Sequence, residues 1–69
     1  MAKISLKAAR VNAGLTLKNV ADKLNVSERS VFNWEAGLTE MNASTFMKLC
    51  NLYNFEPSDI FLPEKSTES

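Results

Sequence analysis

Signals that start and stop helices recur at short intervals along the 69-residue chain, which restricts it to a series of short helices. Side chains of Ser, Thr and Asn cap helix N-termini, whereas Gly and Asn adopt the left-handed conformation that ends a helix. Pro57 suits the first position of a short fifth helix that runs through Phe61. The predicted N-caps are Ser5, Thr16, Ser27 and Asn42, and the predicted stops are Gly14, Asn25, Gly37 and Asn54.

The apolar residues between these signals repeat with the period of a helix, and neither sustained alternation nor an Asn-Gly or Asp-Gly hairpin turn occurs. Val26 is expected to fill the turn between the second and third helices. The sequence therefore predicts a compact all-α fold of five helices without a sheet. In the first helix, one face contains Leu6, Ala9, Arg10 and Ala13. The residues predicted to face the core from the later segments are Val20, Ala21, Leu24, Val31, Trp34, Phe46, Leu49, Cys50, Tyr53 and Phe55.

Length and composition exclude several classes of protein. We expect one domain over residues 1–62 and a polar tail over 63–69. The single cysteine, Cys50, cannot close an internal disulfide, and a chain without histidine offers poor zinc ligands. The N-terminus is too short and polar for a signal peptide, and no apolar run reaches the length of a membrane span. These features indicate a cytoplasmic protein with no metal, cofactor or membrane association.

The formal net charge is zero, but the charges are unevenly distributed along the chain. Residues 1–33 carry six basic and two acidic side chains, whereas residues 34–69 carry two basic and six acidic ones. A concentrated basic region matters more for binding nucleic acid than the total charge does. On charge alone, a phosphate-binding face and an ordinary solvated surface remain equally acceptable.

The most informative segment comprises two predicted short helices, 17–24 and 28–36, joined by a tight turn at 25–27. Such a turn holds two helices at a steep angle and can present the second one to the major groove of DNA. At 100° per residue, the outward arc of the second helix mixes an acid, a guanidinium, an aromatic ring and an amide, each of which can contact base edges. This arc contains Glu28, Arg29, Phe32, Asn33 and Ala36.

The stretch GLTLKNVADKLNVSERSVFNWEAG, residues 14–37, resembles the helix-turn-helix of the phage Cro and lambda-type repressor family. The similarity continues through FMKLCNLYNFEPSDIF, residues 46–61, and covers about residues 5–61 in all. The resemblance implies a five-helix, lambda-repressor-like domain that binds a double-stranded DNA operator, usually as a homodimer. The matching residues are Gly14, Leu15, Thr16, Val20, Ala21, Leu24, Asn25, Val26, Ser27, Val31, Trp34, Glu35 and Gly37.

The resemblance also implies roles for individual residues. An arginine of the first helix pairs with the glutamate that ends the third, here Arg10 and Glu35. The apolar residues before the tail are expected to form the dimer interface, namely Ile60, Phe61 and Leu62. The expected base contacts are Ser27, Glu28, Arg29, Phe32 and Asn33, and the expected phosphate contacts are Thr16, Leu17, Lys18, Asn19 and Asn42.

Two departures from the family pattern bear on affinity. Leu17 stands where the family often has a glutamine, and a leucine side chain cannot donate a hydrogen bond. The loop after the third helix contains Glu40 and no basic residue, which disfavours tight binding to phosphate.

The leading hypothesis is a sequence-specific repressor or Cro-like switch protein, from a phage or a mobile element. The alternative is a protein-interaction module, for example an antitoxin, that uses the same fold. No constellation of side chains indicates catalysis, so we expect neither an enzyme nor a small-molecule substrate.

Overall fold

The computed structural model describes residues 3–62 of the chain. This part contains four α-helices and one short 3-10 helix, and it forms no strand beyond a single isolated bridge. The predicted all-helical fold is confirmed. The predicted tail at 63–69 lies outside the described residues. The elements are α1 (Leu6–Asn12), α2 (Leu17–Leu24), α3 (Glu28–Ala36), α4 (Ala43–Tyr53) and the 3-10 helix (Pro57–Asp59).

The predicted fifth helix is wrong in extent, because the segment after α4 forms only one 3-10 turn. Pro57 occupies its first position as expected. The chain then becomes extended at Ile60, with φ −119° and ψ 130°. Ile60 forms a parallel bridge with Ile4, in which the Ile4 amide donates to the Asp59 carbonyl at 3.0 Å and the Phe61 amide donates to the Ile4 carbonyl at 3.0 Å. This pairing replaces further helical hydrogen bonds.

The predicted capping residues begin the helices. The Thr16 hydroxyl accepts from the Asn19 amide at 3.0 Å, and the Asn42 side chain accepts from the Thr45 amide at 2.8 Å. Ser5 and Ser27 cap α1 and α3 in the same way. The predicted stops adopt left-handed backbone conformations, with φ of 76° at Gly14, 61° at Asn25, 75° at Gly37 and 63° at Asn54.

One apolar core holds the helices together, and it agrees with the predicted helix faces at most positions. Trp34, Phe46, Phe55 and Leu24 are partly buried and pack against it. Ala13, on the same predicted face as Leu6 and Ala9, is exposed, and so is Val26, which was predicted to fill the turn. Ala13 lies beyond the last residue of α1, and the Val26 amide closes the turn by donating to the Ala21 carbonyl at 3.0 Å while its side chain stays outside. The buried core comprises Leu6, Ala9, Val20, Ala21, Val31, Leu49, Cys50, Tyr53 and Ile60.

Two ionisable side chains of α4 lie within this core. Burial, with a smaller contribution from the carboxylate of Glu35, raises the pKa of the Tyr53 phenol to about 12, although Arg10 acts to lower it. Burial also raises the pKa of the Cys50 thiol, with a smaller contribution from Glu56. Both groups are therefore neutral at physiological pH, which suits an apolar environment.

The shift at Tyr53 predicts a loss of stability in alkaline solution. The folded protein holds the phenolic proton more tightly than the unfolded chain, so this contribution is present below pH 10 and is lost as the pH rises towards 12. We expect the urea midpoint of the native chain to fall over this range and that of Tyr53→Phe to fall less. Equal declines in the two proteins would contradict the assignment.

Candidate nucleic-acid interface

The packing of α2 against α3 positions the candidate site. Asn25 ends α2 in the left-handed conformation, and Ser27 begins α3 by accepting a hydrogen bond from the Ser30 amide at 3.1 Å. Val20 and Ala21 of α2 and Val31 of α3 are buried, so both helices are fixed by the core. The turn at 25–27 therefore connects two rigid elements, and the opposite face of α3 is directed outwards.

The outward face of α3 carries the polar side chains that the sequence predicts. Glu28, Arg29 and Ala36 are exposed, Asn33 is half-buried, and Phe32 is 43% exposed although it is a large aromatic residue. Ser27 differs from the others, because its hydroxyl is engaged with the amide and the hydroxyl of Ser30. Its observed contacts are those of a helix cap.

Arg29 and Phe32 lie one helical turn apart and are in contact. The guanidinium carbon of Arg29 is 5.6 Å from the centroid of the Phe32 ring, which is within the range of a cation–π interaction. In the described part of the chain, no carboxylate forms an ion pair with Arg29. The exposed cation of α3 is thus held by an aromatic ring and not neutralised by an acid.

The start of α2 presents backbone donors beside this face. Thr16 and Asn19 form a reciprocal capping box, in which the Asn19 side chain accepts from the Thr16 amide at 3.0 Å. The amides of Leu17 and Lys18 precede the first intrahelical bond and lie at the positive end of the helix dipole, where an anion is favoured. The Lys18 amine lies 3.6 Å from Asp22 in an exposed ion pair, which is weak and easily exchanged.

Asn42 lies at the start of α4, where its side-chain oxygen caps the helix. Its amide nitrogen remains a potential donor to phosphate. The structure thus gives Asn42 and Asn19 capping roles that use their oxygen atoms and leave their donors available.

An ion pair between Arg10 and Glu35 connects α1 to the end of α3. The Arg10 Nε donates to Glu35 Oε2 at 2.7 Å, and Nη2 donates to Oε1 at 3.3 Å. Nη1 donates to the Leu15 carbonyl at 3.0 Å, in the loop before α2. The two side chains are only 11% and 8% exposed. One guanidinium therefore fixes α1, the α1–α2 loop and α3 relative to one another.

A shallow groove of about 390 Å³ lies between α1, the start of α2 and α3. Leu17 and Phe32 line it, which places the first residue of α2 near the outward face of α3. Lys7 also lines the groove, a position that the sequence pattern did not predict. Its position three residues before Arg10 on α1 was the available signal, because residues at this spacing share a helix face. The lining residues are Lys7, Arg10, Leu17, Phe32, Glu35 and Ala36.

The three residues predicted for the dimer interface are not equivalent in the structure. Ile60 is only 4% exposed and packs in the core, so it cannot supply the surface contact that the sequence suggested. Its burial follows from the bridge with Ile4. Phe61 and Leu62 are 48% and 40% exposed, and these two apolar side chains form the remaining candidate surface.

Comparison with known proteins agrees with this geometry. The family model described as helix-turn-helix matches residues 6–60, which include all four α-helices. The chain belongs to the helix-turn-helix family of the Cro and lambda-repressor type. It is also 43% identical over 49 residues to the HTH-type transcriptional regulator ImmR of Bacillus subtilis (strain 168). The aligned region is 71% of this chain but only 39% of ImmR.

Within residues 3–62, no helix is long and apolar enough to cross a membrane. The same range contains no group of three acidic or thiol side chains arranged to hold a metal ion.

Proposed function

We propose that this helix-turn-helix protein is a sequence-specific, double-stranded DNA-binding transcriptional regulator, a repressor or Cro-like switch that acts in the cytoplasm. The observation that carries the proposal is the outward face of α3, where Arg29, Phe32 and Asn33 project beside the amide-lined start of α2. These side chains would read base edges while α2 contacts phosphate. The proposed activity is binding, without catalysis or a cofactor.

The residues assigned to phosphate contact lie on more than one element. The backbone amides of Leu17 and Lys18 would receive one phosphate, and the Lys18 amine would exchange its weak pairing with Asp22 for a phosphate oxygen. Lys7 is a further candidate, because it lines the groove next to Leu17 and Phe32. Several modest contacts of this kind are consistent with a chain whose net charge is zero.

The test is titration of the chain onto duplex DNA at several salt concentrations. Neutralising phosphates releases counterions, so the logarithm of the association constant should fall linearly with the logarithm of salt concentration. A specific operator should retain an affinity advantage over random duplex of about 10³-fold or more. Binding that is absent, or equal on every sequence, would contradict the proposal.

We propose further that two copies bind a two-fold symmetric operator. A single α3 reaches only a few base pairs, whereas two copies about 34 Å apart would contact successive major grooves. Phe61 and Leu62 are the candidates for contact between the copies, because they are adjacent and exposed on a segment that the Ile4–Ile60 bridge holds in place.

The homodimer proposal predicts that Phe61→Ser with Leu62→Ser reduces cooperative binding. The double variant should occupy a single half-site with nearly native affinity but gain little from the second half-site. Val11→Ser is a matched control, because Val11 is an exposed apolar residue on α1. The measurement is the stoichiometry and affinity on one-half-site and two-half-site duplexes. Unchanged cooperativity in the double variant would contradict this interface.

A protein-interaction module, such as an antitoxin, is the second candidate function. The exposed ring of Phe32 and the partly apolar groove beneath it favour this alternative, because an aromatic side chain in a polar surface often marks a contact site. Loss of binding to a protein partner in Phe32→Ala, with DNA binding unchanged, would favour the interaction module over the regulator.

A further inference from the structure

We infer that Arg29 and Phe32 act as one recognition unit that reads a two-base step, a 5-methyl pyrimidine next to a guanine. The inference rests on the proposed DNA-binding function and specifies what α3 selects. In this unit the two side chains do not act independently. Phe32 contacts one base and also orients the Arg29 guanidinium.

The Arg29 guanidinium lies over the Phe32 ring and forms no ion pair within residues 3–62, so its N–H donors are not taken up by an acid. A guanidinium has its five N–H donors in its plane, so an aromatic ring can contact its face while the donors point to a ligand. The Arg29 carbon lies 5.6 Å from the ring centroid, and Arg29 has no carboxylate partner among the described residues. Its N–H donors are therefore available to guanine O6 and N7.

The contact with Phe32 also reduces the conformational entropy that the Arg29 side chain loses when DNA binds. An exposed arginine has many rotamers, and fixing them opposes association. Contact with Phe32 restricts these rotamers before DNA arrives. Phe32 itself is anchored on α3 one turn away, at a position that follows the buried Val31, so its backbone is well fixed.

Part of the Phe32 surface remains available for a second base. The residue is 43% exposed despite its contact with Arg29. Among groups in the major groove, the 5-methyl of thymine is the apolar one that suits an aromatic surface. Stacked base pairs are about 3.4 Å apart, so two side chains that are in contact, with centres 5.6 Å apart, are close enough to contact adjacent pairs. The recognised step is thus thymine beside guanine.

The test uses modified duplexes based on the sequence that the full chain selects from a random pool. Uracil replaces thymine to remove only the methyl group, and 7-deazaguanine replaces guanine to remove only the N7 acceptor. We expect each replacement at the predicted step to weaken binding of the native chain by about fivefold or more. The same replacements at other positions of the duplex are the matched controls.

The Phe32→Leu variant then distinguishes a coupled Arg29–Phe32 unit from two side chains that contact the bases independently. Leucine keeps an apolar side chain but removes the ring, so we expect the penalty for 7-deazaguanine to fall by about two- to fivefold, the value of an exposed cation–π contact. Arg29→Ala, which removes every N–H donor of the side chain, should abolish the guanine penalty. Thermal unfolding confirms that both variants fold.

The outcomes distinguish this inference from the function on which it rests. Specific binding with an unchanged 7-deazaguanine penalty in Phe32→Leu overturns the coupled unit and leaves the regulator intact. A selected site without a thymine–guanine step overturns the assignment of the bases. Absence of specific DNA binding by the native chain overturns the proposed function and this inference together.

Discussion

Replacing Arg10 with Met should lower the free energy of unfolding by roughly 3 kcal/mol, the lower end of the range for breaking a buried ion pair. The change leaves the Glu35 carboxylate at 8% exposure without its guanidinium, and it removes the donor to the Leu15 carbonyl. Small domains are stable by only about 5–15 kcal/mol, so a loss of this size is a large share of the total. Urea unfolding followed by circular dichroism measures it.

Three further variants, namely Lys7→Met, Glu35→Leu and the Arg10→Met/Glu35→Leu double variant, identify the cause of the lost stability. Lys7→Met removes the same charge from an exposed position of α1 and should change stability by less than about 0.5 kcal/mol. Arg10→Met combined with Glu35→Leu removes the unpaired charge, so it should destabilise the fold less than the sum of the two single changes. Additive effects would show that the pair does not act as a unit.

Arg29→Ala and Asn33→Ala should each cost about 1–3 kcal/mol of binding free energy on the selected operator and relax selection at particular base pairs. The reason is the orientation of α3, whose opposite side is anchored by the buried Val31. Lys18→Ala should instead weaken binding to all duplexes by a similar factor and reduce the salt slope by about one. Binding isotherms on matched and mismatched duplexes measure these effects.

Lys48→Ala is the matched control for Lys18→Ala. Lys48 is an exposed lysine of α4 that lines a separate groove with Lys23 at the end of α2. Lys48→Ala changes the net charge by the same amount as Lys18→Ala, but it should leave the salt dependence of DNA binding almost unchanged. If Arg29→Ala produced uniform losses on every sequence, as expected for Lys18→Ala, then α3 would not be the element that reads the bases.

Much of the fold could be predicted because its local signals are strong and consistent. Ser, Thr and Asn caps and Gly or Asn stops act within a few residues, so the bounds of α2 and α3 follow from the sequence. The Ile4–Ile60 bridge depends on residues distant in sequence and too few to show strand periodicity. For this reason the burial of Ile60 and the short extent of the last helix were not foreseen.

The candidate site was predictable to the extent that it follows helix geometry. The exposed face of α3 follows from a period of 3.6 residues, whereas contacts between side chains require their conformations. The sequence therefore placed Arg29 and Phe32 on one face without revealing that they touch. The spacing of Lys7 from Arg10 indicated only a shared face of α1, since the proximity of Lys7 to Leu17 and Phe32 arises from the packing of α1.

Selection of bound duplexes from a random pool by the unmodified chain tests whether α3 reads base sequence in double-stranded DNA. We expect enrichment of one motif with two-fold symmetry and half-sites about 34 Å apart. The same selection with Asn33→Ala should lose preference at specific positions of that motif and keep it elsewhere. If the folded native chain enriched no sequence from the pool, α3 would not be an element that reads bases.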